Sequence, residues 1–157
     1  MGLIALASRR DHEPAPLPSG TGIAAALEDA APAGARFPGL TEVRLAVGDR
    51  CLRLVVADEL QERVDGLRGR EGLDPYGGML FVYEAPSTSS FTMSGVAVPL
   101  DLGFYDGRGR PVDREELEPC PQADASCPPY SSGSPYRFAL ETLRGELPSG
   151  ALSACAA

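Results

Sequence analysis

Short apolar runs separated by glycines and prolines fill the middle of this chain, and they constrain its fold more than any other feature. The clearest are residues 79–83, 91–96 and 100–105. Runs of this length are typical of strands, because a helix needs ten or more residues to bury one face. With Gly 18 and Pro 15 among 157 residues, turns should be frequent and long helices rare. The sequence therefore predicts a mainly β (α+β) fold.

Further strands are predicted on either side of these runs. Residues 43–47 and 52–56 carry apolar side chains at every second position, and Gly48-Asp49 lies between them, which indicates a β-hairpin. The sequence Asp106-Gly107-Arg108-Gly109 indicates a second hairpin turn, and residues 136–143 a last strand. We expect a single small sheet, barrel-like or strongly curved and mixed, with one short helix packed on it.

That helix is predicted directly after the first hairpin. The spacing of apolar residues changes at Asp58, and aspartate is a residue type that caps helices well. Apolar side chains then recur at i, i+4 and i+7, namely at Leu60, Val64 and Leu67, and Gly66 provides a stop. We expect an amphipathic helix over residues 59–65 that packs onto the sheet by this apolar stripe.

Composition divides the chain into one domain and two tails. Residues 1–40 are rich in Ala, Pro and Gly and predict a disordered N-terminal arm. Residues 41–150 are the β-rich globular domain, and residues 151–157 are expected to be a flexible C-terminal tail. The apolar stretch 2–8 precedes Arg9-Arg10, so it is either the remnant of a secretory signal or a disordered end. No run is long enough for a membrane-spanning helix.

Charge and histidine content exclude several classes of function. The net charge is −8 without a Lys/Arg cluster, so neither nucleic acid nor an anionic membrane surface is an expected partner. The single histidine, His12, lies in the N-terminal arm. A Ser-His-Asp triad, a Cys-His pair or a multi-histidine metal site would need imidazole inside the fold. We therefore expect no metal and no cofactor.

Two of the four cysteines predict a disulfide. Cys120 and Cys127 lie seven residues apart in a proline-rich loop, a spacing that suits neither a zinc knuckle nor a redox Cys-x-x-Cys. Their bond would contribute roughly 2.5 kcal/mol by the chain-entropy relation and would indicate an oxidising compartment. The alternative is two free thiols in a mobile loop. Cys51 is expected to be a small core residue, and whether it pairs with Cys155 stays open.

A set of spaced motifs carries a family resemblance over residues 42–150. The motifs are Gly66-Leu67 with Arg70, Gly78-Met79-Leu80-Phe81, Phe91 with Met93, Pro99-Leu100-Asp101, Asp106-Gly107, and Ala139-Leu140-Glu141. In this order they resemble a bacterial and archaeal family known as domain of unknown function 192. The cysteine loop resembles that of members from high-GC bacteria. The resemblance implies a compact mainly-β fold, often on exported proteins, and it brings no established activity.

The chain departs from the family pattern at one segment. Where the family has Trp-Met-Lys-Asn-Thr after the phenylalanine, this chain has Thr92-Met93-Ser94-Gly95-Val96. Arg68 also stands in place of a family methionine. If the family has a polar site in the first segment, this chain has lost its polar half.

Three charged residues that match family positions are the candidate polar cluster. Arg70 between Asp101 and Glu141 could make bidentate, charge-assisted bonds. Such a cluster is either an ion-pair network that holds the loop 69–78 onto the sheet or a cradle for a ligand. A groove formed by Phe91, Met93 and Pro99 is expected beside it. The acidic run 113–118 is interpreted as a solvated face, although its oxygens would also suit calcium.

Three functions follow from these residues. The first is a non-enzymatic extracytoplasmic domain that binds a small ligand or a partner protein at the groove by Phe91 and Asp101. The second is a structural or accessory subunit of a larger membrane or envelope complex. The third is a carboxylate-based hydrolase that uses Asp101 and Glu141 as a pair. The sequence leaves the identity of the ligand or partner and the oligomeric state open.

Overall fold

The structure is a computed structural model that describes residues 14–122 and 126–156. Short strands and two one-to-two-turn helices make up the described chain. In chain order they are α1 (Ile23–Glu28), β1 (Ala31–Pro32), β2 (Thr41–Val47), β3 (Arg50–Ala57), α2 (Leu60–Asp65), β4 (Gly78–Ser87), β5 (Phe91–Thr92), β6 (Leu100–Tyr105), β7 (Pro111–Leu117), β8 (Pro129–Tyr130), β9 (Tyr136–Leu143) and β10 (Leu152–Ala154). The fold is mainly β, as predicted.

One mixed sheet holds most of the strands. Its order is β1-β2-β3-β4-β9-β6-β7, and β10 pairs with β2. The neighbours β3 and β4 run parallel, and α2 lies in the connection between them. The pairs β4–β9, β9–β6 and β6–β7 are antiparallel. The predicted mixed sheet is confirmed. Strand pairing within the described ranges follows an open path, so it shows no closed barrel.

The first hairpin is confirmed, and its turn shows why glycine is needed there. Val47 is paired with Arg50, which leaves Gly48 and Asp49 as a two-residue connection. Gly48 has φ 61, and a Cβ atom on it would lie 2.3 Å from the carbonyl oxygen of Ser149. A side chain would therefore be strained by backbone conformation and would also collide with the C-terminal segment.

Both faces of the central strands are buried. On the first face Met79, Phe81 and Phe104 belong to one apolar cluster, and on the second face Leu80 and Phe138 belong to another, which includes side chains of α1 and β2. A strand that is apolar at every position is what burial on two faces requires. The two clusters give the domain two apolar layers separated by the sheet.

The structure differs from the predicted N-terminal arm. Residues 14–40 pack against the sheet, with Ile23 and Phe37 each 1% exposed. Ile23 fills the second apolar layer, and Phe37 fills the first. Two large apolar side chains thus anchor a segment whose composition is otherwise typical of linkers. The predicted signal remnant and His12 lie outside the described residues.

The C-terminal segment also differs from its prediction. Strand β10 pairs with β2, Leu152 is fully buried, and Cys155 forms a disulfide with Cys51. Cys51 is consequently an exposed, bonded residue, and the prediction of a small core residue was wrong. By the alternation of the strand Cys51 shares the face of Arg53 and Val55, and it lies at the exposed end of that face, beyond the first apolar layer.

The cysteine loop contains the expected bond between Cys120 and Cys127. Cys120 is joined to the segment after β5 by bridges with Ser94 and Val96, and β8 pairs with β5. The predicted strand over residues 91–96 is therefore reduced to Phe91 and Thr92. The loop covers one end of the first apolar layer.

Helix α2 forms where the spacing of apolar residues changes in the sequence, but its apolar stripe is not packed on the sheet. The helix begins after Glu59 rather than Asp58, and the Glu62 carboxylate accepts a hydrogen bond from the Glu59 N–H at 3.1 Å. Leu60 is 72% exposed and Val64 50% exposed, whereas Leu67, beyond the helix, is buried. The expected packing of the stripe was wrong, because Leu60 and Val64 line an opening, and the helix contacts β4 through Arg63 instead.

The two disulfides should stabilise the fold unequally. The Cys51–Cys155 bond spans 104 residues and the Cys120–Cys127 bond spans 7. The chain-entropy relation gives about 4.7 kcal/mol for the first and about 2.5 kcal/mol for the second. The Cys51→Ser/Cys155→Ser variant should therefore lose about 2 kcal/mol more unfolding free energy than Cys120→Ser/Cys127→Ser. Urea unfolding of both double variants measures this, and the reverse order would contradict the prediction.

Candidate functional site

A pocket of about 380 Å³ opens beside α2. It lies between this helix, strand β4, and the segment around β5, and strand β9 supplies its floor. Apolar, hydroxyl and charged side chains all contribute to its walls. They are Leu60, Arg63, Val64, Asp65, Leu67, Arg68, Phe81, Tyr83, Ser89, Ser90, Phe91, Thr92, Val96 and Glu141.

Glu141 is the unusual group in this pocket. The sheet register sets it opposite Met79 on β4 and Leu102 on β6, so its side chain shares the face of the first apolar layer. It is 4% exposed, and no hydrogen bond or ion pair from the described residues reaches its carboxyl group. Among the described residues no fully buried side-chain oxygen or nitrogen lacks a hydrogen-bond partner, so the carboxyl oxygens of Glu141 keep some contact with the space of the pocket. The pocket thus has a free hydrogen-bonding group at its floor.

Burial controls the charge of this group. Loss of contact with water raises the pKa of Glu141 to about 8. The side chain is therefore mostly protonated at neutral pH, with one O–H donor and one carbonyl acceptor. Tyr83 lies close enough to interact electrostatically with it, and burial raises the pKa of that phenol as well. The inner part of the pocket is consequently uncharged near pH 7.

Aromatic side chains form the apolar walls. The rings of Phe81 and Phe91 meet edge to face, with 5.0 Å between their centroids. Leu67 and Val96 are buried beside them. The exposed side chains of Leu60 and Val64 extend this apolar surface to the mouth. The pocket thus has an apolar strip along its walls, beside its hydroxyl and charged side chains.

Charged groups stand at the mouth. The Arg63 guanidinium donates to the carbonyl oxygens of Asp58 at 2.5 Å and Val82 at 3.0 Å, and it lies over the Tyr83 ring. The Asp65 carboxylate accepts a hydrogen bond from the Gln61 amide at 2.8 Å. Arg68 is exposed, and its guanidinium has no hydrogen bond or ion pair within residues 14–122 and 126–156.

The predicted cluster of Arg70, Asp101 and Glu141 is not assembled. Asp101 pairs with Thr142, one residue from Glu141, so the two carboxyl groups lie on opposite faces of the sheet. Arg70 donates to the carbonyl oxygen of Arg36 at 2.7 Å and lies over the Phe37 ring. Only Glu141 of the three lines the pocket. Sequence spacing could not show this, because a shift of one position along a strand reverses the face.

Asp101 has a structural environment of its own. Its carboxylate is 3.3 Å from Arg144 and 3.7 Å from Arg114, and it accepts a hydrogen bond from the Gly145 N–H at 2.8 Å. The side chain is nearly fully buried. These contacts hold the turn after β9 against β6 and β7.

The predicted groove is found in part. Phe91 lines the pocket, but Met93 is fully buried in the first apolar layer. Pro99 is exposed, and its carbonyl oxygen accepts from the Arg144 N–H at 3.2 Å. Pro99 does not line the pocket. The apolar spacing in this segment could not separate a wall residue from a core residue.

Sequence reasoning missed the residues at the mouth. Leu60 and Val64 were assigned to the core, and Arg63 and Arg68 were not singled out. The signal for Arg68 was its presence where the family pattern has a methionine. Thr92 and Val96, which replace the Trp and the Thr of that pattern, also line the pocket. Three of the departures from the pattern therefore fall on the pocket walls, whereas Ser94 and Gly95 do not line the pocket.

Comparison with protein families identifies the class of this domain. The DUF192 model, described as "Uncharacterized ACR", matches residues 43–153. This range holds nearly the whole sheet and leaves out only β1, the first two residues of β2 and the last residue of β10. A mainly-β domain with this sequence pattern is a DUF192 domain. The chain belongs to this family, as the motifs indicated.

Two solved structures share the fold. A protein of unknown function from Novosphingobium aromaticivorans is 28% identical, with a TM-score of 0.63 over 76% of this chain and 86% of that one. A protein proposed to be a transcription regulator, from Sinorhizobium meliloti, is 22% identical, with a TM-score of 0.59 over 71% and 90% of the two chains. At that identity the second likeness shows the fold alone. A search of curated proteins found no match.

No group of three or more His, Cys, Asp or Glu side chains within residues 14–122 and 126–156 could hold a metal ion. In the same ranges, neither helix has the length and apolar character needed to cross a membrane.

Asp101→Asn should destabilise the protein by roughly 1–3 kcal/mol, because it removes a charge from a buried, hydrogen-bonded carboxylate. Glu116→Gln is the matched control, since Glu116 also faces Arg144, at 3.8 Å, but is exposed. That change should cost less than about 1 kcal/mol. Urea unfolding at pH 7 measures both. Equal losses would contradict a structural role for Asp101.

Glu141 should make stability fall as pH rises. Its pKa is raised above the ordinary value of 4.5 to about 8, so the unfolded chain ionises first. Its stabilising contribution is complete below about pH 4.5 and is lost as pH rises to about 8, by at most roughly 1.4 kcal/mol per pH unit. Glu141→Gln should remove this slope, and the exposed Glu84→Gln should keep it. Urea unfolding at several pH values checks this, and a wild-type slope equal to that of Glu141→Gln would contradict the raised pKa.

Proposed function

We propose that this domain is a non-enzymatic, extracytoplasmic module that binds a small organic ligand in the pocket beside α2. The observation that carries the proposal is Glu141, a buried carboxyl group without a partner at the floor of a 380 Å³ pocket. The carboxyl group has lost most of its contact with water and keeps its remaining contact on the pocket side, so a ligand in the pocket can hydrogen-bond to it at little further desolvation cost. A volume of this size lies in the range of small-molecule sites, and the walls offer apolar, hydroxyl and charged side chains to a ligand.

Exposed apolar side chains support the same function. Leu60 and Val64 stand at the mouth with 72% and 50% of their surface exposed. A bound ligand that extends out of the pocket over these two side chains would remove part of their surface from water. Each Å² of apolar surface buried in this way contributes about 25 cal/mol to binding. Their exposure on a helix of six residues is explained if the helix is one wall of a binding site.

A carboxylate hydrolase is not favoured. Hydrolysis by two carboxyl groups requires both to flank the scissile bond in one site, within roughly 5–10 Å of each other. Asp101 and Glu141 lie on opposite faces of the sheet. Asp101 is also committed to Arg144 and to the Gly145 N–H.

An accessory subunit of an envelope complex is the second candidate. The exposed pair Leu60 and Val64 would then contact a partner protein. Stable interfaces bury about 800 Å² on each partner, which is far more than two side chains provide. The ligand-binding function accounts for the pair without a partner, so we favour it.

An extracytoplasmic location is supported by the cysteines. The described residues contain two disulfides and no free cysteine. Disulfides persist in oxidising compartments and are rare in the cytosol. The proposal therefore includes a location outside the cytoplasm.

Closing the pocket should abolish binding. Thr92 is exposed and lines the pocket, and a tryptophan there, as in the family pattern, would fill it. We expect ligand-observed NMR with a fragment set of carboxylates, amines and neutral compounds to find fragments that bind the wild type. Thr92→Trp should weaken these fragments at least about tenfold, and the matched Thr92→Ser should retain them.

Val64→Trp is a second variant designed to fill the pocket. It is needed because the new side chain of Thr92→Trp would leave the pocket open if it pointed away from it. Thermal unfolding establishes that each variant is folded. If no fragment binds the wild type more tightly than it binds both tryptophan variants, the pocket is not a binding site and the proposal fails.

A further inference from the structure

The charges at the mouth of the pocket are opposite to the charge of the protein. The chain has a net charge of −8, yet Arg63 and Arg68 both line the opening. One carboxylate, Asp65, accompanies them, and it is engaged with Gln61. With Glu141 neutral, the pocket carries an excess of positive charge. A cationic ligand would meet this charge unfavourably, and an anionic one favourably.

Arg68 is the group most available to an anion. Arg63 already donates to two carbonyl oxygens and lies over Tyr83. The Arg68 guanidinium has no ion pair or hydrogen bond in the part of the chain that the structure describes, although five N–H donors are available on it. Planar guanidinium groups bind carboxylates in a bidentate manner. The mouth is therefore suited to a carboxylate.

The floor is suited to an uncharged polar group. Glu141 offers one donor and one acceptor when it is protonated. A hydroxyl or carbonyl group of a ligand would pair with it, whereas a second anion in the same apolar surroundings would be costly to desolvate. The two free polar groups of the pocket thus select different ends of one molecule.

The walls between these two groups are aromatic. Phe81 and Phe91 meet edge to face, and Tyr83 lines the same side. Aromatic rings favour such edge-to-face and offset contacts with another ring. The middle of the ligand is consequently apolar and is best matched by an aromatic ring.

We propose that the ligand of this pocket is a small aromatic organic acid that carries a hydroxyl or carbonyl group at the end opposite its carboxylate. The carboxylate is bound by Arg68 at the mouth, the ring lies against Phe81 and Phe91, and the uncharged polar end is bound by Glu141. This inference rests on the proposed function and adds the chemical class of the ligand.

Binding of such an acid depends on pH through Glu141. The charged and titratable groups that face it are Tyr83 on β4, Arg63 and Asp65 on α2, and Arg68 after it. Glu115 shares its face two strands away, on β7. Ionisation of Glu141 at the floor would place a negative charge near an anionic ligand and would make its desolvation more costly. The affinity for an acid should thus decrease as Glu141 ionises.

Three probes of similar shape test the ligand class. They are 3-(4-hydroxyphenyl)propionate, 3-phenylpropionate, which lacks the hydroxyl, and 4-hydroxyphenethylamine, which replaces the carboxylate by an ammonium group. NMR titrations of the full chain at pH 6.5 should show at least about tenfold tighter binding of the first probe than of either other. Between pH 6.5 and about pH 9 the affinity for the first probe should fall about tenfold.

Two variants assign the roles of the side chains. Arg68→Gln should weaken the first probe about tenfold and leave the amine unaffected or better bound, and the exposed Arg108→Gln is the matched control. Glu141→Gln keeps a donor and an acceptor, so it should bind the first probe within about threefold of the wild type at pH 6.5. It should also abolish the pH dependence, which a merely structural role for Glu141 would not predict.

The outcomes separate this inference from the proposed function. Tighter binding of the amine, with an affinity that increases with pH, would overturn the inference in favour of a cationic ligand. Equal binding of the two acids would overturn the role of Glu141. If none of the three probes binds while other fragments are lost in Thr92→Trp, the ligand class is wrong and the pocket remains a binding site. If no fragment is lost in that variant, the proposed function itself fails.

Discussion

Strand β9 lies between β4 and β6 and is buried on both faces, and the rest of the domain is arranged around this constraint. Its side chains alternate between the two faces of the sheet, so the register with β4 and β6 decides which face receives each residue. That register directs Phe138 and Leu140 into the second layer. It directs Glu141 into the first, where burial keeps its carboxyl group protonated near neutral pH. A pocket with a free acid at its floor is the consequence.

The segments at the two ends of the described chain depend on the same two layers. Ile23 and Leu152, from opposite ends of the chain, both enter the second layer, and the Leu152 N–H donates to the Gly109 carbonyl oxygen at 2.7 Å. The disulfide from Cys51 to Cys155 holds the C-terminal strand in place. A small domain of this kind buries a limited apolar area. Anchoring both ends of the chain increases that area and restricts the unfolded state.

Local patterns predicted the strands well, because each depends on neighbours in sequence. The hairpin at Gly48-Asp49, strand β6 and strand β9 were found from alternation, apolar runs and turn residues. The ordered N-terminal segment was missed, since Ile23 and Phe37 are isolated apolar residues among prolines and alanines. The stripe of α2 was misplaced for a related reason. Spacing shows that Leu60 and Val64 share a face, but it does not show what lies opposite that face.

The candidate site was predicted only in part. Motif matching selected Glu141 and Phe91, which line the pocket, but it grouped Glu141 with Asp101 and Arg70, which do not. The sequence by itself determined the mainly-β class, the family, the turns and the disulfide between Cys120 and Cys127. Tertiary structure alone decided which face of β9 carries Glu141 and that the mouth of the pocket brings Arg68 near it. The physical reason is that pairing between distant strands fixes the face of every side chain, and local sequence carries no record of that pairing.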